Sequence, residues 1–266
     1  CASDTPAIAN FTNIILPMED EEIALLTPLG IEIYDSNNER QYRNPVSLKV
    51  SDQIMDKMNF KHFMLKEIYD QPETAKNWLK NYLIKNLENG QYQINYPFNT
   101  EFFESIERIE IIACGTSKHA AMVGRFLLEQ FSGIPTNVFY ASEFRYSPPP
   151  LLPNTLTIGV TQSGETADTI AAIDMEIKRR SSKEDKKFTP NLIAITNRKE
   201  SSIGRQVSNI IDICAGIEVG VAATKTFFGQ LLSFYGLAIK FAQTKGTQSA
   251  DEIDKLITEL IKLPPI

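Results

Sequence analysis

Short apolar runs recur through the second half of the chain, and each is followed by a stretch whose apolar positions are spaced for a helix. The runs are Ile109 to Ile112, Asn137 to Tyr140, Thr155 to Val160, Leu192 to Thr196 and Ile210 to Ile213. Between and after them lie Lys118 to Phe131, Thr166 to Arg180, Ser202 to Val207 and Thr224 to Ala242. Strands that are apolar on both sides, alternating with amphipathic helices, predict a five-stranded parallel sheet covered on both faces, a three-layer α/β/α domain. It should occupy residues 106–248, with a final amphipathic helix over Asp251 to Lys262 that Pro264-Pro265 end. Residues 249–266 are accordingly a helix leading away from the domain.

The front of the chain has a different rhythm. Ile14-Ile15-Leu16, Ile23 to Leu26 and Gly30 to Tyr34 are β-favouring runs separated by acidic or Pro/Gly turn signals. Three short strands without helices beside them cannot bury two faces, so residues 1–45 are expected to be the tail of a domain, a short β-rich remnant. Residues 46–105 are predicted to be a helical linker packed against two neighbours: Lys57 to Ile68 has helical spacing, and Pro72 starts a second helix, Glu73 to Leu87. That helix carries Trp78, the only tryptophan, and Asn89-Gly90 and Tyr96-Pro97 punctuate its end.

Length and charge narrow the function. At roughly 150 residues per domain, 266 residues amount to between one and two domains. The formal net charge is −6, which argues against nucleic-acid binding, because that function leaves a basic face. No apolar run approaches the roughly 20 residues that span a bilayer, and no basic-then-apolar leader opens the chain. Cys1, Cys114 and Cys214 are widely spaced with no CxxC pair, which disfavours a disulfide framework or structural zinc and fits a reducing cytoplasm. With 42% hydrophobic residues, the chain can bury a full core.

In a parallel sheet the ligand site lies beyond the carboxyl ends of the strands. Three loops rich in hydroxyls and glycine map to that edge: Cys114-Gly115-Thr116-Ser117, Thr161-Gln162-Ser163-Gly164-Glu165-Thr166, and Glu218-Val219-Gly220-Val221-Ala222-Ala223-Thr224-Lys225. In the second, Gly164 permits a tight turn, and the first amides of the following helix lack intrahelical partners. With the hydroxyls of Thr161, Ser163 and Thr166 they form an uncharged set of donors suited to a phosphate. The competing role for Ser163 or Thr166 is plain helix capping. For one loop the two are evenly matched; two such loops on one sheet edge favour a ligand. No GxxxxGK[ST] run is present, and no GxGxxG follows the first strand, so the natural guest is a small phosphorylated metabolite rather than a nucleotide.

Isolated reactive residues carry less. His62 and His119 cannot build a metal site, and no HExxH occurs, so no metal is expected. Lys225 has the chemistry of a Schiff-base lysine, but near a helix start it is expected to be a charge partner of Glu218 or of the ligand. Cys114 is expected to be a small buried residue, and Cys1, followed by Ala2-Ser3-Asp4, lacks the glycine turn an N-terminal nucleophile needs. The mixed-sign run Arg179 to Lys187 is expected to be a solvated loop.

The three loops together resemble the first sugar isomerase (SIS) domain of the glutamine–fructose-6-phosphate aminotransferase (isomerizing) family, the glucosamine-6-phosphate synthases. The run His62-Phe63-Met64-Leu65-Lys66-Glu67-Ile68 with Gln71-Pro72 is similar to the segment preceding that domain, and Ala2-Ser3-Asp4 with the strands after it resembles the end of the family's glutaminase domain. The resemblance runs over nearly the whole chain. It implies a cytoplasmic homodimer that makes glucosamine 6-phosphate from fructose 6-phosphate and glutamine without an organic cofactor. By the same resemblance, Thr161, Gln162, Ser163 and Thr166 would hold the phosphate, while Thr116, Ser117 and the backbone near Val221 would contact the sugar. It places the glutaminase nucleophile, the glutamate base, the Schiff-base lysine and the ring-opening histidine outside these residues, so Glu218, Lys225 and His119 receive no catalytic role and the piece alone is expected to bind without turning over. Thr161 stands where the family usually has Ser, Ala223 replaces a common Ser, and Lys183 to Lys187 form a longer insertion than expected. Two alternatives are a non-enzymatic SIS module that senses a sugar phosphate and a stand-alone phosphosugar isomerase; the strand-rich start and the linker run argue against the first, and the lack of a convincing acid or base against the second.

Overall fold

In the computed structural model, the structure describes residues 1–2, 8, 11–19, 21–47, 57–86 and 90–264. Expectations resting on Ser3-Asp4, Leu87, Asn89 and Pro265 lie outside the described residues. The chain divides into two units, Cys1–Asn59 and Phe60–Ile266.

The first unit contains β1 (Ile14–Ile15), β2 (Ile23–Thr27), β3 (Gly30–Tyr34), β4 (Arg40–Gln41) and β5 (Val46–Ser47). Strands β2, β3 and β4 form an antiparallel sheet, and β1 pairs with β5. Its three predicted β-favouring runs form β1, β2 and β3. Among the described residues of this unit only Ile33 is buried, while Ile23, Leu26, Leu29 and Ile31 face solvent.

The second unit opens with α1 (Phe63–Tyr69) and α2 (Gln71–Tyr82), Pro72 standing in the first turn of α2, where its missing N–H costs nothing. The predicted helix Glu73 to Leu87 is corrected: it stops at Tyr82, and the chain turns into the hairpin β6 (Leu83–Lys85) and β7 (Tyr92–Ile94). The Asn-Gly pair at 89–90 is a hairpin-turn signal, and the amides of Asn86 and Gly90 close the turn on Gln91 and Asn86 carbonyls. Trp78 is fully buried, its Nε1 donating to Ser233 Oγ at 3.3 Å, so α2 is part of the main core. A short α3 (Thr100–Glu104), capped by Asn99, leads into the sheet.

There β8 (Arg108–Ala113), α4 (Gly115–Ser132), β9 (Thr136–Tyr140), α5 (Ala141–Phe144), β10 (Thr155–Thr161), α6 (Ala167–Ser181), β11 (Asn191–Thr196), α7 (Ser202–Gln206), β12 (Ile210–Asp212), α8 (Lys225–Lys245) and α9 (Ala250–Ile261) follow one another. The strands are all parallel, in the order β12-β11-β10-β8-β9. Central β10 is buried at every residue, which is why its sequence, TLTIGVT, shows no polar alternation. Ile109, Ile111, Ile158 and Val160 pack in the core shared with α4 and α8; Ile112, Ile173, Ala194 and Ile203 pack in the one shared with α6 and α7. Each predicted strand and helix is present here; only α5 has no counterpart in the expectations.

A second correction concerns the charged run. Arg179 and Arg180 belong to α6, and Arg180 is fully buried: its Nε donates to Glu176 at 2.7 Å and its Nη1 to the Leu152 carbonyl at 3.1 Å. Arg179 donates to Glu176 at 2.9 Å and to the Pro149 carbonyl at 2.7 Å. Glu110 on β8 lies in their field; burial, and secondarily the Glu176 charge, push its carboxyl up to about 7. Charge signals exposure only where no opposite charge accompanies it inward. Ser182 to Lys187 are exposed, as expected of a solvated loop.

Candidate functional site

The three glycine- and hydroxyl-bearing loops all leave carboxyl ends of sheet strands: β8 for the first, β10 for the second, β12 for the third. Strands β8 and β10 are neighbours in register, Val160 opposite Ala113, so the first and second loops emerge side by side.

The second loop is held from within and from its neighbours. Gly164 is buried with φ of 73°, and its N–H donates to Thr161 Oγ1 at 3.3 Å. A Cβ at this position would lie 1.9 Å from Ser201 Oγ, so only glycine fits both the turn and the space. The Gly164 carbonyl accepts from Ile203 N at 3.1 Å, and the Gln162 carbonyl from Asn197 N at 3.2 Å. Thr161, buried, shares a 2.7 Å hydrogen bond with Thr166 through their hydroxyls. Ser163 Oγ accepts from Glu165 N at 3.1 Å.

Thr166 is the N-cap of α6, yet its side chain makes no capping hydrogen bond. The hydroxyl faces Thr161 instead, so the cap side chain takes up none of the first-turn amides of α6. Nearby carboxylates are engaged elsewhere: Glu165 accepts from Ser202 N at 2.9 Å, and Asp168 from Arg145 at 2.7 Å. The result is a helix N-terminus with donors, hydroxyls and no free acid beside it, an arrangement that attracts an anion.

The first loop contributes Gly115, with φ of 54°, and the start of α4. Thr116 is exposed. Ser117 is buried and its Oγ accepts from Gln230 Nε2 at 2.9 Å, a bond that ties the first turn of α4 to α8. Gln230 was missed in the sequence; a lone amide on the apolar side of a long helix is the signal that could have found it. Cys114 is partly exposed rather than buried, since it stands at the strand end where the sheet opens.

The third loop is organised by carboxylates. Glu218 accepts from the N–H groups of Thr224 (2.9 Å) and Thr226 (3.3 Å) and from the Thr226 hydroxyl, so the N-terminus of α8 already carries an anion of the chain itself. Glu67 on α1 is 2% exposed; it accepts from Val219 N at 2.6 Å and from Gly220 N at 3.2 Å. Val221 is fully exposed. Lys225 does not pair with Glu218: its Nζ meets Asp70 Oδ2 at 3.2 Å, because Glu218 is occupied by amides and Asp70, at the junction of α1 and α2, faces the buried lysine. Burial opposes ionisation of Asp70, but hydrogen bonds from Lys66 and Lys225 hold its carboxyl below the usual range. Asn197 joins the second and third loops, donating to the Gly216 carbonyl at 2.5 Å and accepting from Ala215 N at 3.2 Å. Cys214 is no nucleophile: burial pushes its thiol up to about 12. His119 is exposed on α4.

Comparison with known proteins places this geometry. The family model described as SIS domain matches residues 102–240, more than half of the chain. The isomerizing glutamine–fructose-6-phosphate aminotransferase of Thermosynechococcus vestitus is 50% identical over 268 residues, covering 99% of this chain and 42% of that protein. The protein of the same name from Nostoc sp. is 49% identical, again over 99% of this chain and 42% of its own length. The chain thus spans about two fifths of the length of these relatives. Among solved structures, the C-terminal domain of glucosamine-fructose-6-phosphate aminotransferase from Francisella tularensis superposes with a TM-score of 0.70 at 32% identity, covering 80% of this chain and 56% of that one. With its parallel sheet, its three loops at one edge and this match, the chain belongs to the SIS domain family.

Proposed function

We propose that this chain is the hexose-phosphate-binding segment of an isomerizing glutamine–fructose-6-phosphate aminotransferase, an enzyme that makes glucosamine 6-phosphate from fructose 6-phosphate and glutamine. Thr161, Gln162, Ser163 and Thr166 hold the phosphate; Thr116, Ser117 and the backbone at Val221 contact the sugar. The cytoplasm and a homodimeric whole protein go with this function, and the general base, the lysine and the ring-opening histidine come from other parts of it. The support is the similarity to relatives that bear this name over 99% of the chain.

The observation that carries the proposal is the uncapped N-terminus of α6. A phosphate dianion leaves water at a cost, and the helix start offsets about 0.3–2 kcal/mol of it, depending on burial. Hydroxyl donors supply the rest. Thr161 and Thr166 satisfy each other at 2.7 Å, so they are already oriented before a ligand arrives and lose little rotamer freedom on binding. The carboxylates Glu165 and Asp168, each engaged by another partner, do not contest the site.

Titration calorimetry of this chain with fructose 6-phosphate tests the proposal. The unaltered chain binds, and Thr166→Ala binds about tenfold more weakly, the value of one hydrogen bond to a charged group. Equal affinity in the two proteins rejects the assignment of the phosphate to this loop.

A further inference from the structure

Three features lie outside the proposed binding groups: the buried Glu110, Glu176 and Arg180 cluster under α6, the cleft between β7 and the end of α8, and the contact of α1 with the third loop. The first joins protein groups to one another, and the second is a cleft lined by Gln93, Lys240, Gln243 and Asp254 in which nothing singles out a guest. The third reaches the site.

We infer that Glu67 is a positioning residue of the hexose-phosphate site, fixing from outside the sheet the loop that presents Val221 to the sugar. This rests on the sugar-phosphate function proposed above. Glu67 is 152 residues from Val219 in sequence and touches none of the proposed ligand-binding side chains. Its buried carboxylate takes the amides of Val219 and Gly220 together, at 2.6 Å and 3.2 Å. Those two N–H groups therefore point back toward α1, and the chain bends at Val221, which stands fully exposed. Gly220 allows the approach: a Cβ there would lie 2.6 Å from Glu67 Oε2. Asp70, three residues further along, holds Lys225 at the far side of the same loop. Residues three apart near a helix end lie on one side of it, so α1 grips the loop at both ends and leaves the tip between them. The carboxylate does no chemistry; it decides where the Val221 backbone stands.

Two variants and two ligands test this in the 266-residue chain. Glu67→Ala removes the acceptors; Glu67→Gln keeps one acceptor oxygen and the packing, so it guards against a simple failure to fold. Calorimetric titration with fructose 6-phosphate is compared with titration by inorganic phosphate, which engages the second loop alone, and hydrogen exchange at Val219 and Gly220 reports the grip directly. Glu67→Ala is expected to bind fructose 6-phosphate about tenfold more weakly, with Glu67→Gln between it and the unaltered chain, while phosphate affinity stays the same and the two amides exchange faster. A parallel loss of both ligands in Glu67→Gln marks a purely structural residue and overturns the inference. So does unchanged fructose 6-phosphate affinity in a variant whose amides exchange freely. If the unaltered chain binds no fructose 6-phosphate, the proposed function itself fails and the inference with it; binding that is indifferent to Glu67 rejects the inference alone.

Discussion

The second and third loops leave the same sheet edge and both run into a helix, yet they are built oppositely. The loop after β10 keeps its helix start open: hydroxyl meets hydroxyl, Gly164 packs against Ser201, and no side chain caps α6. The loop after β12 fills its own helix start: Glu218, from the loop itself, occupies the first amides of α8, and Glu67 of α1 occupies the loop amides. An anion arriving at the first finds donors without a partner; at the second it would compete with two carboxylates already in place. Like helix termini on one edge thus divide into one open to an anion, the proposed phosphate site, and one already filled, and the division is made by acidic side chains rather than by the backbone.

The comparison breaks most severely at Gly164. Ala there must hold φ near 73°, a region that L residues rarely adopt, and must displace the buried Ser201, whose hydroxyl donates to the Arg198 carbonyl at 2.6 Å. Strain and overpacking together predict a loss of about 2–4 kcal/mol in chemical denaturation, along with the loss of fructose 6-phosphate binding. A stability within experimental error of the unaltered chain would mean that the Gly164 turn packed against Ser201 does not lock the loop.

The matching change in the third loop is milder. At Gly220 the backbone is in an ordinary conformation, and an added Cβ meets the far end of a side chain, Glu67 Oε2 at 2.6 Å. The carboxylate can swing away at the expense of its hydrogen bonds. Gly220→Ala should therefore cost about 1–2 kcal/mol of stability. It should also weaken fructose 6-phosphate binding without altering phosphate binding, a split that Gly164→Ala does not show. Denaturation and calorimetry on the two variants side by side check the contrast.

Most of the open loop is legible in the sequence, because the signals that mark it are local. Apolar runs of both-sided burial place β8, β10 and β11, and glycine with hydroxyls after a strand marks Gly164 and its neighbours. What escaped depends on residues distant in sequence. Glu67, Asp70 and Gln230 act on partners 152, 155 and 113 residues away, and a lone polar residue in a helical pattern does not announce what it meets. The family resemblance drew the run around Glu67 beside the three loops, but gave no reason for the company; the carboxylate contact supplies one. Arg180 misled for the same cause, since its burial depends on Glu176 beside it and on the Leu152 carbonyl beyond. The hairpin after α2 is a different case: Asn-Gly suits a helix end as well as a hairpin turn, and here it closes the hairpin of β6 and β7.

The smallest expected effect separates the two tethers of the third loop. Asp70 shares its carboxylate between Lys66 at 2.7 Å and Lys225 at 3.2 Å, and it is partly exposed, so solvent screens the pair. Asp70→Asn should cost up to about 1 kcal/mol at neutral pH, less in high salt. The sign of its pH dependence follows from the lowered carboxyl pKa: the favourable interaction is complete above the unfolded-state value and is lost as pH falls through the lower folded-state value. Melting temperatures of the unaltered chain and Asp70→Asn should thus differ at pH 7 and converge in acid. Convergence would show that ionised Asp70 is what the second tether contributes; a constant gap would mean that Asn disturbs the junction of α1 and α2 by shape, leaving Glu67 as the electrostatic tether that reaches the loop from α1.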